Sequence, residues 1–229
     1  MEVIRLQHVE KIYADNGVPV TALRDVSLSI AQGEFVVIAG PSGSGKTTLL
    51  NIMGALDKPT SGQVLLENED VSTLTSAQVA AFRLEKLGFV FQAYNLIPVL
   101  TAMENVEFSM MLLGMDKATR RARALEVMRE LGIEELAYKR PNEMSGGQQQ
   151  RVAVARAIVN KPSIVLADEP TANLDTHTGA QLLDIMENMN RVHNLTFIFS
   201  SHDPQVIDRA RRLILLRDGS VEKDVSGTA

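Results

Sequence analysis

The stretch FVVIAGPSGSGKTTLLNIM, residues 35–53, joins an apolar run to a helical pattern through a glycine-rich loop. Residues 35–39 have the short β-branched composition of a buried strand, and residues 47–53 are typical of a helix. Between them, Gly40 to Thr48 fits the spacing G-x-x-x-x-G-K-[ST]. In this strand–loop–helix setting, the backbone N–H groups of the loop point toward phosphate groups. The stretch therefore predicts a phosphate-binding loop inside an α/β fold.

The residue types of this loop suit phosphate chemistry. Gly43 and Gly45 allow the backbone to wrap tightly, and Lys46 reaches the β- and γ-phosphates as a mobile point charge. The Thr47 hydroxyl is a ligand for Mg²⁺, and the Thr48 hydroxyl lies toward the α-phosphate. The alternative interpretation is a purely structural glycine-rich turn. The predicted nucleotide-binding residues of the loop are Gly40, Pro41, Ser42, Gly43, Ser44, Gly45, Lys46, Thr47 and Thr48.

A second apolar run, SIVLADEP at residues 163–170, ends in two adjacent carboxylates. We expect Asp168, at the carboxyl end of the strand, to hold the Mg²⁺ near Thr47. Glu169, one position further, would face the γ-phosphate and polarise the attacking water. An acidic pair at a strand end is also a common solvated cap. Together with the phosphate-binding loop, however, it predicts the site of a nucleoside-triphosphate hydrolase.

The overall composition excludes several functional classes. The 229-residue chain is 45% hydrophobic and long enough for a substantial core, and it has no cysteine, which excludes disulfides and thiol chemistry. A net charge of −5 argues against general nucleic-acid binding. No apolar run approaches the length of a membrane span, and the charged N-terminus does not resemble a signal peptide. We therefore expect a soluble, cytoplasmic protein whose membrane role, if any, depends on a partner.

Short β-branched runs alternate with longer helical patterns, which indicates an α/β fold with a mainly parallel sheet. The strands that precede Phe35 are expected to form an antiparallel flank. From residue 101 to about residue 157 the strand signal vanishes, and this block is predicted to be a helical subdomain inserted between core segments 1–100 and 158–229. We expect the last five residues, VSGTA, to fray. The predicted strands are Val3–Val9, Leu23–Ile30, Phe35–Ala39, Gln63–Leu66, Gly88–Gln92, Ser163–Ala167, Thr196–Ser200 and Arg212–Leu216. Within the block, helical spacing relates Ala118, Ala122, Leu125, Met128 and Leu131.

The stretch EMSGGQQQR, residues 143–151, predicts a second exposed helix N-terminus, which would also suit an anion. From the residues alone, a hinge at the helix entry is the favoured interpretation of Ser-Gly-Gly, and serine is a good N-cap in either case. The chain already has a better phosphate site around Lys46, so a second anion site needs an explanation.

The motif order resembles the ATPase subunits of ABC transporters. Residues 144–148, MSGGQ, match that family's signature motif with methionine in place of the usual leucine, and the resemblance runs from Tyr13 to His202. It implies a RecA-like P-loop NTPase core, Mg²⁺ and ATP, and a dimer with a second copy or a close homologue. In such a dimer each signature motif completes the ATP site of the other chain. The resemblance assigns the partner's nucleotide to Ser145, Gly146, Gly147 and Gln148.

Other family positions carry over individually. Tyr13 corresponds to the aromatic residue that stacks on adenine, although it could simply pack near a strand end. Gln92 matches the glutamine of the Q-loop, which contacts Mg²⁺ and the attacking water, but an exposed polar strand end is an equal alternative. His202 corresponds to the switch histidine at the γ-phosphate, and residues 171–175, TANLD, correspond to the D-loop at the dimer seam with Ala172 where glycine is usual. The resemblance thus makes Glu169, His202, Gln92 and Lys46 the catalytic set.

Longer matching stretches resemble the lipoprotein-release and macrolide-exporter branch (LolD and MacB types) of the family. That resemblance implies a separate transmembrane permease, to which the chain would attach peripherally on the cytoplasmic face of the plasma membrane. A non-transport ABC ATPase of DNA repair or translation is the alternative, although the chain has no coiled-coil insertion and a single cassette. A phosphate-loop kinase would lack both the signature and the pair Glu169 and His202, and a pure binding module would be expected to lose Lys46 or Glu169.

The segment after Gln92 is rich in adaptable apolar side chains. Methionine suits surfaces that repack, so we expect part of this set to line a groove for a cytoplasmic helix of the permease. Core packing within the helical block is the alternative for each of them. The set comprises Leu96, Ile97, Met103, Met110, Met111 and Leu112.

Overall fold

The computed structural model describes residues 1–14 and 17–227. Its strands are β1 (Glu2–Tyr13), β2 (Val20–Ala31), β3 (Phe35–Ala39), β4 (Ser61–Leu66), β5 (Glu69–Asp70), β6 (Leu87–Phe91), β7 (Ile164–Asp168), β8 (Thr196–Ser200), β9 (Arg212–Arg217) and β10 (Ser220–Ser226). Its helices are α1 (Lys46–Met53), α2 (Ser76–Lys86), α3 (Ala102–Leu112), α4 (Lys117–Glu130), α5 (Gly146–Ile158), α6 (Thr176–His193) and α7 (Pro204–Ile207), with short 3₁₀ turns at Val71–Thr73, Glu134–Leu136 and Pro141–Glu143. No helix within the described residues combines the length and apolar character that crossing a membrane requires.

The central sheet has six strands in the order β10-β9-β3-β8-β7-β6. Strands β6, β7, β8, β3 and β9 pair in parallel, and β10 joins the edge antiparallel to β9. Every residue of β3 and β8 is buried, as expected for central strands covered on both faces by other layers. The predicted parallel core is confirmed.

A second sheet, in the order β2-β1-β4-β5, is entirely antiparallel. The flank predicted for the strands before Phe35 is thus confirmed. Both of its long strands extend beyond the predicted bounds, and register shifts interrupt the pairing of β1 with β2. Strand β4 belongs to this flank as well, so the chain returns to it after α1.

Alternation along β3 divides the hydrophobic core into two layers, because successive strand side chains point to opposite faces of the sheet. Val36 and Ile38 face α1 and the antiparallel flank. Phe35, Val37 and Ala39 face the opposite layer, which contains side chains of α3, α4, α5 and α6. On that face the ring centroids of Phe35 and Phe199 lie 4.7 Å apart. The central sheet is therefore held between a mixed α/β layer and a helical layer.

One expectation about the end of the chain was wrong, and two elements were not predicted. Val225 and Ser226, expected to fray, pair with Leu213 and Arg212 as part of β10, whereas Thr228 and Ala229 lie outside the described residues. The strand β10 was not predicted because its sequence, SVEKDVS, is mostly polar and suits an exposed edge. Helix α2 was also not predicted, although Thr75 and Gln78 form a capping box at its start.

The block 101–157 contains helices α3, α4 and most of α5, as its periodicity predicted. Its internal packing differs from the predicted face. Ala118 and Ala122 are exposed, whereas Ala124 and Met128 form the buried side of α4, followed by Leu131. An alanine adds little to an apolar stripe, so spacing alone did not identify which side of this arginine-rich helix is covered.

The buried ring of Phe35, which contacts Phe199, provides a test of the two-layer core. Phe35→Ala removes a fully buried ring from the centre of the sheet, so we expect the free energy of unfolding to fall by about 3–5 kcal/mol. Val192→Ala on α6, where the side chain is 65% exposed, should change it by less than about 0.5 kcal/mol. Urea denaturation followed by circular dichroism measures both. Equal effects of the two substitutions would contradict the assigned core.

Candidate functional site

The parallel register places the carboxyl ends of four strands in one row. Phe91 at the end of β6 pairs with Asp168 at the end of β7, which pairs with Ser200 at the end of β8, and Ser200 pairs with Ile38 of β3. The residues that follow these positions leave the sheet at the same edge. Polar side chains far apart in the sequence therefore converge there, as expected for the ligand edge of an open α/β sheet.

The loop between β3 and α1 has the conformation that its glycines allow. Gly45 has a φ of 102°, and a Cβ atom there would lie 2.5 Å from the Ala22 carbonyl oxygen of β2. Lys46 folds back over the loop, and its Nζ donates to the carbonyl oxygens of Gly40 at 2.8 Å and Pro41 at 3.0 Å. An ammonium has three donors, so one remains for an anion seated in the loop. The start of α1 adds unpaired backbone N–H groups and a positive helix dipole.

Asp168 and Thr47 provide a pair of hard oxygen ligands. The Thr47 hydroxyl lies 3.4 Å from Asp168 Oδ1, and burial raises the pKa of the Asp168 carboxyl above its usual range. A divalent cation would offset this desolvation of the ionised carboxylate. Within residues 1–14 and 17–227 there is no cluster of three or more His, Cys, Asp and Glu side chains arranged to hold a metal. One carboxylate and one hydroxyl fit Mg²⁺, which retains waters and uses phosphate oxygens as further ligands.

Glu169 is held through both of its carboxylate oxygens. Its Oε1 lies 2.7 Å from Nδ1 of His202, and its Oε2 accepts a hydrogen bond of 3.1 Å from the Ser201 hydroxyl. The backbone N–H of Glu169 donates to the Ser200 carbonyl oxygen at 2.9 Å. Its φ of 46° lies in the left-handed region, which non-glycine residues adopt only where surrounding structure enforces it. The Glu169 side chain is 16% exposed and that of His202 is 72% exposed, so the imidazole stands on the open side of the carboxylate.

A cleft of about 560 Å³ gathers most of the predicted site. Its lining includes the loop residues Pro41, Ser42, Gly43, Gly45, Lys46, Thr47 and Thr48 together with Gln92, Glu169 and His202. Asp168 does not line the cleft but contacts Thr47, which does. Gln92 is exposed, and its backbone carbonyl oxygen accepts a hydrogen bond of 2.9 Å from the Asn173 side chain.

Tyr13 does not line this cleft, and its hydroxyl binds a residue outside the cleft. Its hydroxyl donates to Asp57 Oδ2 at 2.8 Å, and Lys11 Nζ lies 4.7 Å from the ring centroid and 2.7 Å from Asp57 Oδ1. Burial and the Asp57 hydrogen bond raise the pKa of the Tyr13 hydroxyl. Thr48 of the phosphate-binding loop also lies near this hydroxyl. The stacking role of Tyr13 stays a prediction.

The signature residues form a separate surface. Ser145 is the N-cap of α5, and it forms a capping box with Gln148: Gln148 N donates to Ser145 Oγ at 3.4 Å, and Ser145 N donates to Gln148 Oε1 at 2.9 Å. Met144, in the position usually held by leucine, is buried in the helical layer. Among the described residues that line the cleft around Lys46, none comes from Ser145–Gln148. The two predicted anion sites of one chain are thus distinct.

Three polar residues of this edge were not singled out from the sequence. Ser201 orients Glu169, Asn173 holds the Gln92 backbone, and the Thr171 hydroxyl donates to Asp203 Oδ2 at 2.9 Å. All lie inside the motifs SSHDP and TANLD. The motifs predicted these loops as functional. The residue type of a serine or threonine in a loop, however, does not indicate which group it will bind.

A groove of about 400 Å³ lies next to the segment that contains Gln92. Its lining includes Leu56, Arg83, Leu84, Phe91, Asn95, Ser109, Arg156 and Asn160. The predicted apolar set does not line it. Met103 and Met110 are fully buried in the helical layer, Leu96 and Ile97 are half-buried, and Met111 and Leu112 are 46% and 57% exposed at the end of α3. Only part of this set was expected to line a groove, and for Met103 and Met110 the structure shows the alternative, core packing within the helical block.

Comparisons with known proteins identify the family of the chain. A family model described as ABC transporter matches residues 23–172. The chain is 47% identical to an uncharacterized ABC transporter ATP-binding protein of Thermotoga maritima, over 96% of this chain and 94% of that protein. It is 44% identical to the macrolide export ATP-binding/permease protein MacB of Syntrophobacter fumaroxidans, over 98% of this chain and 32% of that protein.

Solved structures of ABC transporter cassettes have a similar fold. The dimeric structure of the ABC transporter cassette MJ0796, from Methanocaldococcus jannaschii, has a TM-score of 0.91 at 44% identity, with 99% of both chains covered. A dimeric post-hydrolysis state of MJ0796 bound to ADP and Pi has the same TM-score at 43% identity. The chain therefore belongs to the ABC transporter family, as one of its ATP-binding and ATP-hydrolysing subunits.

Proposed function

We propose that this chain hydrolyses Mg²⁺-ATP in the cleft around Lys46, as half of a dimer in which two chains enclose two nucleotides. The observation that carries the proposal is the position of Glu169. Its carboxylate stands at the edge of the sheet beside Asp168, in the same cleft as Lys46, and His202 and Ser201 hold both of its oxygens. A base oriented in this way next to a phosphate-binding loop suits attack by water on a terminal phosphate.

Each side chain has a distinct task in this mechanism. The Lys46 ammonium and the α1 N-terminus bind the β- and γ-phosphates, while Thr47 and Asp168 hold Mg²⁺. The metal, when bound, neutralises part of the phosphate charge. Glu169 accepts the proton of the attacking water. His202 places Nδ1 against Glu169, which leaves Nε2 for the γ-phosphate, and Nε2 donates to it when both ring nitrogens carry a proton. Gln92 orients the water from the opposite side, and Tyr13 stacks on adenine.

The second anion site belongs to the partner's nucleotide. In this proposal Ser145, Gly146, Gly147, Gln148 and the α5 N-terminus donate to the γ-phosphate bound by the other chain. The separation of Ser145 from its own cleft supports this assignment, as does the dimeric state of the relative MJ0796. The partner is a second copy of this chain or a close homologue.

We further propose that the dimer drives a permease of the lipoprotein-release and macrolide-exporter type, at the cytoplasmic face of the plasma membrane. The relative from S. fumaroxidans is itself named an ATP-binding/permease protein, which supports a permease as partner. The groove beside Phe91 and Asn95 and the exposed end of α3 are the proposed contact surfaces. Residues 101–157, on this view, act as a helical subdomain that carries the signature motif.

Glu169→Gln tests the general base. The amide keeps the size of the side chain but cannot accept the proton, so we expect Mg²⁺-ATP binding to persist while turnover falls about 10²–10⁴-fold. The ATP-bound dimer should accumulate. Phosphate release and size-exclusion chromatography with ATP measure these effects, and Glu126→Gln on the exposed surface of α4 is the matched control. Turnover above about a tenth of the wild-type rate would show that Glu169 is not the base.

Mixed dimers test completion of the site by the partner chain. Lys46→Ala and Ser145→Ala should each inactivate a homodimer, because each spoils both sites. In a mixed dimer both lesions fall on one composite site and leave the other intact, so mixing the inactive proteins with the permease present should restore part of the ATPase activity. Crosslinking follows pairing of the mixed chains.

Ser145→Ala also removes a helix cap, which costs about 1 kcal/mol. Thr101→Ala is the matched control, since Thr101 caps α3 with the same kind of capping box. It should lower stability to a similar degree while sparing ATPase activity. Full activity of Ser145→Ala alone, or an ATP-bound Glu169→Gln form that stays monomeric with the permease, would be incompatible with the composite site.

Charged substitutions test the permease contact. Leu56→Glu in the groove and Leu112→Glu at the end of α3 replace exposed apolar side chains, so we expect each to abolish co-purification with a membrane protein from detergent extract while Mg²⁺-ATP binding is kept. Val192→Glu, on the exposed surface of α6, should leave co-purification intact. Retention of the membrane partner by both test variants would rule these surfaces out. ATPase stimulation by DNA instead of a membrane protein would favour the repair-type alternative.

A further inference from the structure

Two adjacent glycines, Gly146 and Gly147, open helix α5, and the backbone does not explain them. Neither is among the glycines with positive φ, so both have conformations that alanine adopts without strain. In a helix interior, alanine is also more favourable than glycine by about 1 kcal/mol. The absence of a side chain at both positions is therefore explained by the neighbouring atoms, which leave no room for a Cβ atom.

At Gly147 the space is taken by Thr178 of α6. A Cβ atom on residue 147 would lie 2.4 Å from Thr178 Cγ2, and the next atom, Thr178 Cβ, is 3.8 Å away. Thr178 cannot turn aside freely, because its hydroxyl donates to Asp175 Oδ2 at 2.6 Å and its backbone N–H to Asp175 Oδ1 at 3.0 Å. A β-branched side chain on a helix is stiff at χ1. The methyl group of Thr178 is thus fixed against the Gly147 backbone.

At Gly146 the space is taken by Tyr94, two residues after Gln92. A Cβ atom on residue 146 would lie 2.7 Å from the Tyr94 hydroxyl oxygen and 3.7 Å from Cζ. The Tyr94 backbone is anchored to α5 itself, since the Arg156 guanidinium donates to the carbonyl oxygens of Tyr94 at 2.9 Å and Asn95 at 2.6 Å. Both Tyr94 and Asn95 have positive φ, 60° and 50°, and such a conformation persists only where neighbours hold it.

The start of α5 therefore contacts two segments that also reach the nucleotide cleft of the same chain. Tyr94 continues the segment of Gln92, and Thr178 follows Asn173, which binds the Gln92 carbonyl oxygen. Gln150, fully buried one turn further along α5, donates to the Pro170 carbonyl oxygen at 2.7 Å, next to Glu169. Close-packed side chains have low compressibility and transmit strain between the segments that they contact.

We propose that Tyr94 and Thr178 are positioning residues, which occupy the spaces left by Gly146 and Gly147 and set the start of α5 relative to Gln92 and the loop that follows Glu169. This inference rests on the proposed function. The contact joins the Q-loop, which serves a chain's own ATP, to the signature motif, which serves the partner's ATP. Each chain thereby links the two nucleotide sites of the dimer.

Pair-specific rescue tests the proposal. Gly147→Ala should lower kcat/KM for ATP by at least about tenfold, as expected for overpacking of a tight contact, while Mg²⁺-ATP binding by the single chain is kept. Gly146→Ala should lower kcat/KM by a smaller factor, because the colliding Tyr94 hydroxyl is the far end of its side chain. Thr178→Ser removes only the colliding methyl and retains the hydroxyl that binds Asp175. Tyr94→Phe removes only the colliding oxygen. Each remaining neighbour, at 3.8 Å and 3.7 Å, is in ordinary van der Waals contact.

We expect Thr178→Ser to reduce the effect of Gly147→Ala, and Tyr94→Phe to reduce that of Gly146→Ala, each judged against its own single-variant background. The mismatched combinations, Gly147→Ala with Tyr94→Phe and Gly146→Ala with Thr178→Ser, should show no rescue. ATP-driven pairing in a Glu169→Gln background and Tm without nucleotide should follow the same pattern.

The outcomes separate the two proposals. Equal loss in matched and mismatched backgrounds would mean that the glycines serve only direct approach of the partner's nucleotide, and would overturn the positioning role. Full activity of both Gly→Ala variants would overturn it as well. A wild-type chain that neither hydrolyses ATP nor pairs with ATP would contradict the proposed function itself, and the positioning role with it.

Discussion

The parallel register of the central sheet is the constraint on which the functional site depends. Because Phe91, Asp168, Ser200 and Ile38 lie in one row, the residues that follow them leave the sheet at a common edge. A shift of one residue in any of these strands would exchange its two faces and misplace its loop. The burial of β3 and β8 on both sides makes such a shift costly. The hydrophobic layers thus fix the positions of the polar groups.

This edge concentrates charge that would be unfavourable elsewhere. Asp168 is desolvated enough that its pKa rises, and Glu169 stands beside it in a left-handed conformation. Lys46, bound to carbonyl oxygens of its own loop, and His202, bound to Glu169, supply the compensating donors. Strain and partly paired charge in one cleft are characteristic of catalytic sites. The rest of the fold provides the stability that holds this arrangement.

Helix α5 connects the regions that the proposed mechanism must coordinate. Its first residues meet Tyr94 and Thr178, Gln150 reaches the carbonyl next to Glu169, and Arg156 binds the backbone beyond Gln92. Arg156 also lines the groove proposed for the permease, and burial lowers the pKa of its guanidinium. Helix α5 thus contacts that groove, the segment that follows Gln92 and the loop that follows Glu169.

The sequence by itself determined the local motifs and the fold class. The loop from Gly40 to Thr48, the acidic strand end at Asp168 and the capped start of α5 were all predicted, since each is encoded within a few consecutive residues. The helices of block 101–157 were predicted for the same reason. The buried side of α4 and the edge strand β10 were not, because alanine-rich and polar patterns depend on what covers them.

Only the tertiary structure decided which side chains meet. That Ser201 and His202 share Glu169, that Met103 and Met110 are core, and that Tyr13 is bound to Asp57 follow from contacts between distant segments. The same holds for the glycines at the start of α5, whose neighbours Tyr94 and Thr178 lie in other elements. A residue type states which bonds a side chain is able to form. The packing of sheets and helices selects the partner, because it alone sets the distances between segments.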